Sequence, residues 1–186
     1  MNNYAIALFL HIVGALGVSV ALGLEWIGLR QIQSAKLPEQ AGAWMRILKS
    51  TNKAGFACML TTVLTGIYMV LGVWGWVPWI LVVLGALVLM IVLSAALSRP
   101  RMVSIGQALI TGKGPGSQSF HNLANHPLLW ISIQTRVAIT LGIVFLKIAR
   151  PDVGGSLLTI GAAIVLGLAS ALPMLRTVRA HEASTD

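Results

Sequence analysis

The sequence predicts an all-α membrane protein: a bundle of five transmembrane helices with a short interfacial helix between the first and the second. Three observations predict it. Hydrophobic residues fill 56% of the 186 positions and charged residues only 10%, whereas a soluble domain carries about 25% charged residues, so the polar surface is too small to cover a globule in water. The apolar residues gather in five runs, 4–29, 54–73, 76–97, 127–146 and 155–175, each near the roughly 20 residues that cross a bilayer as helix. None of the runs alternates with period two, and a chain in lipid must satisfy its backbone internally, so the runs read as helices rather than barrel strands. No repeat and no soluble domain stands out, and the chain reads as a single integral membrane domain.

The first run begins almost at Met1 with no Lys or Arg ahead of it. It is too long for a secretory signal and lacks the basic start, so it is expected to be retained as a span. In the segment after it, Pro38–Lys49, residues Ala41, Trp44, Met45 and Leu48 share one helical face while Arg46, Lys49 and Lys53 lie elsewhere; this predicts an amphipathic helix lying on anionic lipid. The second and third spans meet at a tight turn, Trp74–Gly75, which predicts a helical hairpin. The third has almost no polar group before Ser94 and is expected to be the most lipid-exposed. Between Ser98 and His126 the sequence predicts a short helix and then a flexible loop through "TGKGPGSQS". The "GKGPGS" stretch lacks the spacing of a phosphate-binding loop. Pro127 after His126 suits the first turn of the fourth helix.

The formal charge of +8 does not point to nucleic acid, because the Lys and Arg residues fall in short segments between apolar runs, where membrane topology places them. One face collects Arg30, Lys36, Arg46, Lys49, Lys53, Arg99, Arg101, Lys113, Arg176 and Arg179; the other has only Lys147 and Arg150. The positive-inside rule then puts the N-terminus outside a plasma (inner) membrane and the C-terminus in the cytoplasm. Trp74, Trp76 and Trp79 would mark the outer interface, and Trp26, Trp44 and Trp130 the inner one. The lone Cys58 can form neither an internal disulfide nor a cysteine metal cage.

Ionisable groups inside spans are costly and are functional candidates by default. There are three: His11, Glu25 and Arg136. On the first helix Ala7, His11, Gly14, Gly17, Val18, Ala21, Glu25 and Gly28 share a face whose small residues invite close packing. On the fourth, Ser132, Arg136 and Thr140 line up at i, i+4, with Lys147 beyond them. Thr61, Thr65 and Tyr68 line the second helix, and Ser156, Thr159, Ala163, Gly167 and Ser170 the fifth. Glu25 is the one acidic residue in any span, and Arg136, which cannot shed its proton, can reach toward it by snorkelling. A Glu25–Arg136 ion pair is therefore expected, either as a lock between the first and fourth helices or as a site for a proton or substrate. His11 is open to three readings: an axial haem ligand, a copper ligand, or a histidine hydrogen-bonded to a neighbouring helix. No second span His lies at its depth, His121 and His126 are five apart, and the seven Met residues are scattered. No metal site is expected, and haem only through His11.

The stretches "LFLHIVGALG", "LGLEWIGLR", "HPLLW" and "RVAITLGIVFLKIARPDVGGSLL" resemble a bacterial family of uncharacterised small integral membrane proteins, known mainly as a domain of unknown function. The resemblance covers nearly the whole chain and implies a fold and a membrane but no activity. The "LHIVGA" start is also similar to copper-resistance D-type membrane proteins and to haem-containing membrane protoporphyrinogen oxidases, through His11 alone. Three functions follow as expectations: a non-enzymatic module handling a proton or small molecule at Glu25, Arg136 and His11; a redox protein with haem or copper at His11; or a scaffold for another membrane protein. The small size argues for a homodimer or another membrane partner.

Overall fold

The computed structural model describes residues 3–112 and 114–182, without the side chains of Trp74 and residues 172–182. Lys113, Trp74, Arg176 and Arg179, which entered the topology argument, thus have side chains outside the described residues. The chain forms α1 (Asn3–Ser34), α2 (Pro38–Met69), α3 (Pro78–Leu93), α4 (Arg99–Ile110), α5 (Gln118–Ala124), α6 (Pro127–Ala149) and α7 (Val153–Glu182), with no strand among the described residues. Five helical stretches are long and apolar enough to cross a membrane: α1, α2 with its extension, α3 continued through α4, α5 with α6, and α7.

Two helix pairs dominate the packing, α1 against α2 and α6 against α7. Small residues bring the first pair together. A Cβ at Gly28 would stand 2.6 Å from the Leu48 side chain, and one at Gly55 2.8 Å from Ala21 Cβ. In the second pair, a Cβ at Gly167 would come within 2.6 Å of Thr135 Cα, so α7 lies on the backbone of α6. The two pairs are bridged where α6 packs on α1 and on α3, and α6 is the most buried of the five.

Three expectations are corrected. The segment 38–49 is no separate interfacial helix, because α2 runs unbroken from Pro38; the polar stretch Ser50–Lys53 contains no breaker, so the helix simply continues. Its apolar face is covered by protein, with Ala41 and Leu48 buried beside Leu29, Ile32, Ile105 and Phe120. The second and third spans do not form a packed hairpin. The wide turn Val70–Trp74, closed by Gly75 N–H donating to Val70 O at 2.8 Å with Gly75 at φ +67°, sends α3 to α6 and α7 instead. Nor is α3 the most exposed: the apolar stretch of α2 buries a smaller share of its residues. The short turn and the apolar composition of α3 say nothing about which neighbour its bulky Leu and Val side chains fit. Among the tryptophans, Trp79 and Trp130 are buried against protein.

The helix after α3 is expected at Ser98 and forms as α4. A second wide turn, Ser94–Ser98, joins α3 to α4. Pro100 explains it: the ring has no N–H to give and collides with the carbonyl four residues back, and one wide turn relieves that conflict without breaking the helix. Helix α5 begins inside the segment expected as loop, where the Ser117 hydroxyl accepts from Phe120 N–H at 3.3 Å.

Candidate functional site

Glu25 and Arg136 meet near the end of the bundle where α1 finishes and α6 starts. The contact is a two-pronged fork, with Arg136 Nη1 donating to Glu25 Oε2 at 2.9 Å and Nη2 to Oε1 at 2.6 Å. Nη2 also donates to Ser98 Oγ at 3.2 Å, and Nε donates to the Ser132 carbonyl one turn back on α6, at 3.2 Å. The Ser98 hydroxyl passes its own hydrogen to Ser132 Oγ at 2.9 Å, and Ser132 passes its hydrogen to Leu93 O at 3.2 Å. Both hydroxyls in this relay find an acceptor, ending on a carbonyl beside the wide turn of α3.

All four side chains, Glu25, Ser98, Ser132 and Arg136, are buried. Toward the basic end the layer is closed by Trp26 and Trp130, packed edge to face at 6.1 Å, with the Arg30 guanidinium 5.2 and 4.9 Å from their ring centres. On the other side Leu22, Ile139 and Met90 belong to one apolar cluster. The arrangement suits a closed junction of α1, α3 and α6 rather than an open binding site. A bidentate Arg–carboxylate contact with satisfied remaining atoms is the geometry in which attraction repays desolvation.

His11 lies elsewhere. It is fourteen residues from Glu25 on the same helix, about 21 Å along the axis. Its Nδ1 is 2.8 Å from the Thr62 carbonyl of α2; a carbonyl only accepts, so Nδ1 carries the hydrogen. Thr65 Oγ1 is 3.4 Å from the same nitrogen and donates to Thr61 O at 2.6 Å. The imidazole fits against α2 because residue 66 is glycine: a Cβ there would sit 3.1 Å from His11 Cε1. Nε2 makes no hydrogen bond among the described residues, and His11 lines a cavity of about 200 Å³ bounded by α1, α2, α3 and α6.

The cavity walls are almost wholly apolar, with Thr140 and Lys147 as further polar contributions from α6. Thr140 gives its hydrogen to Arg136 O at 2.8 Å, so its position links floor and ion pair. The predicted residues therefore separate into two groups: Glu25, Arg136 and Ser132 in one layer, and His11 and Thr140 on the cavity wall with Thr65 against the His11 ring. Thr61 is bonded back to Ala57 O at 3.0 Å and joins neither. Tyr68 is 51% exposed and is corrected out of the buried polar core. On α7, Ser156 is buried but donates to Asp152 O within its own first turn, at 2.8 Å. Ser98 and Thr62 were not among the expected site residues. A serine four residues after Ser94, just ahead of Pro100, was the available signal.

A copper site does not fit this environment, and His11 is the one candidate haem ligand on the cavity wall. Among the described residues no three His, Cys, Asp or Glu side chains converge as metal ligands. Met59 and Met69 border the cavity with His11, but ten residues on one helix separate them by about 15 Å. No family model matches the chain, and no curated protein and no solved structure matches it.

Proposed function

We propose that the chain is a non-enzymatic, multi-pass protein of a bacterial plasma membrane that accommodates a small apolar or amphiphilic molecule in the cavity beside His11. In this reading the Glu25–Arg136 layer is the brace that holds the cavity's walls together. The observation that carries it is the contrast in polar bookkeeping. The brace has spent its donors on protein, while the cavity presents His11 and Lys147 to an apolar space of about 200 Å³. An engineered apolar cavity of about 150 Å³ already takes up benzene. The charge distribution supports an outside N-terminus and a cytoplasmic C-terminus, which a C-terminal reporter active only in the cytoplasm would bear out and a periplasm-active one would overturn. The exposed Arg46, Lys49 and Lys53 would then face the anionic headgroups of the inner leaflet.

The binding test uses a fluorescent apolar probe and the purified full chain in detergent. Saturable binding at one probe per chain, lost in Val83→Trp, which fills the cavity, is the expected result. Equal probe uptake by wild type and Val83→Trp would overturn the reading.

A further inference from the structure

Lys147 is the one charged side chain in the cavity lining, and no Asp or Glu lines it. It is half-buried, and among the described residues it forms no ion pair and no hydrogen bond. The acid close to it in sequence, Asp152, is committed to the start of α7, where Oδ1 accepts from Gly155 N–H at 2.9 Å. Lys147 stands in the last turn of α6, so it places a cation without an anion at one end of the cavity.

Its height in the bundle gives the cavity a direction. Lys147 lies eleven residues beyond Arg136, about 17 Å along α6, and His11 about 21 Å beyond Glu25 along α1. Both polar groups therefore sit near one level, together with Trp76 just before α3 and Trp79 in its first turn, which also line the cavity. Below them the walls are apolar down to Met90 except for Ser19, Thr62 and Thr140, whose hydroxyls are each bonded within their own helix. The polar end lies at the end of the bundle and the apolar end toward its middle, the polarity of a membrane amphiphile. Because α3 packs on α6 and α7 rather than along α2, while residues of both α2 and α3 line the cavity, the cavity lies between these two helices.

We propose that this cavity seats a long-chain fatty acid, its carboxylate on Lys147 at the level of His11 and its hydrocarbon chain running down toward Met90. The proposal rests on the small-molecule reading above and adds the ligand class. The carboxylate supplies the anion that Lys147 lacks. A charge-assisted hydrogen bond in a low-dielectric setting is stronger than a neutral one. A neutral amphiphile of the same length would leave the ammonium unpaired. The position of Lys147 suits a cation whose apolar stem lies along the cavity wall and whose head reaches the interface.

The test is displacement of the fluorescent fatty acid cis-parinaric acid from the purified full chain, using hexadecanoic acid and hexadecanol as competitors. The acid is expected to displace the probe at a concentration at least about tenfold lower than the alcohol, about 1.4 kcal/mol. In Lys147→Met, which keeps the stem, that preference should vanish through weaker acid binding, with the alcohol unchanged. Val83→Trp should lose both ligands; if it does not fold, Leu87→Phe serves the same purpose. Equal competition by acid and alcohol in the wild type, or an unchanged acid preference in Lys147→Met, would overturn the fatty-acid assignment and leave the apolar-ligand reading standing. No saturable displacement by either competitor would overturn both.

Discussion

The two halves of the bundle treat buried polarity in opposite ways. Near the basic end, Glu25, Arg136, Ser98 and Ser132 bond one another within a layer closed by Ile139 on one side and on the other by Trp130, whose buried Nε1–H has no partner among the described residues. In the other half His11 has one ring nitrogen bonded to Thr62 O, and Lys147 has no partner among the described residues, although both border a cavity. The difference teaches that an ionisable residue in an apolar helix is not one kind of signal. Where its partners are complete it holds helices together, and where they are missing it is available to something else.

The largest expected effect comes from breaking the complete half. Glu25→Gln or Arg136→Gln leaves a buried charge alone and should cost about 3–5 kcal/mol, read as a loss of stability to denaturant in detergent. The double substitution should cost less than the sum of the two, and strict additivity would show that the contact carries no coupling.

A second comparison uses the helix seams. Gly167→Ala puts a methyl against the Thr135 backbone, where a Cβ would stand 2.6 Å from Cα; it should destabilise by about 1–3 kcal/mol. Gly23→Ala meets nothing within 4 Å and should be neutral or stabilising by up to about 1 kcal/mol. Equal thermal shifts for the two would mean that α7 does not lie on α6 as closely as described.

Ser98→Ala is a smaller perturbation of the brace. It removes the acceptor of Arg136 Nη2 and the donor to Ser132, and should cost about 1–2 kcal/mol. A silent Ser98→Ala would make the junction a two-helix rather than a three-helix contact.

How much of this was written in the sequence follows from what each signal measures. Five runs of apolar residues near bilayer length are visible from hydropathy alone, because length and composition are properties of single segments. The pairing of Glu25 with Arg136 follows from elimination, since no other span carries an acid. Ser98 could not be found that way. The wide turn before Pro100 shifts the face of the helix, so i, i+4 counting through residues 94–98 fails where it matters. The amphipathic stretch of Ala41, Trp44, Met45 and Leu48 was legible as amphipathic, but periodicity does not distinguish a lipid surface from the protein core that covers it. The α2–α3 connection failed for a related reason: a tight turn fixes proximity at one end, while packing along the length depends on side-chain fit. The cavity, a gap among four helices, has no sequence signature.

The contrast between the halves is tested most directly by measuring stability and ligand preference together in Lys147→Met and Ser98→Ala. Lys147→Met should leave stability within about 0.5 kcal/mol of wild type, because no bond within the described chain is lost, while abolishing the preference for hexadecanoic acid over hexadecanol. Ser98→Ala should do the reverse, lowering stability and leaving the preference intact. If Lys147→Met instead unfolds the protein as readily as Ser98→Ala and leaves ligand preference untouched, Lys147 belongs to the fold and the division into a closed brace and an open seat is wrong.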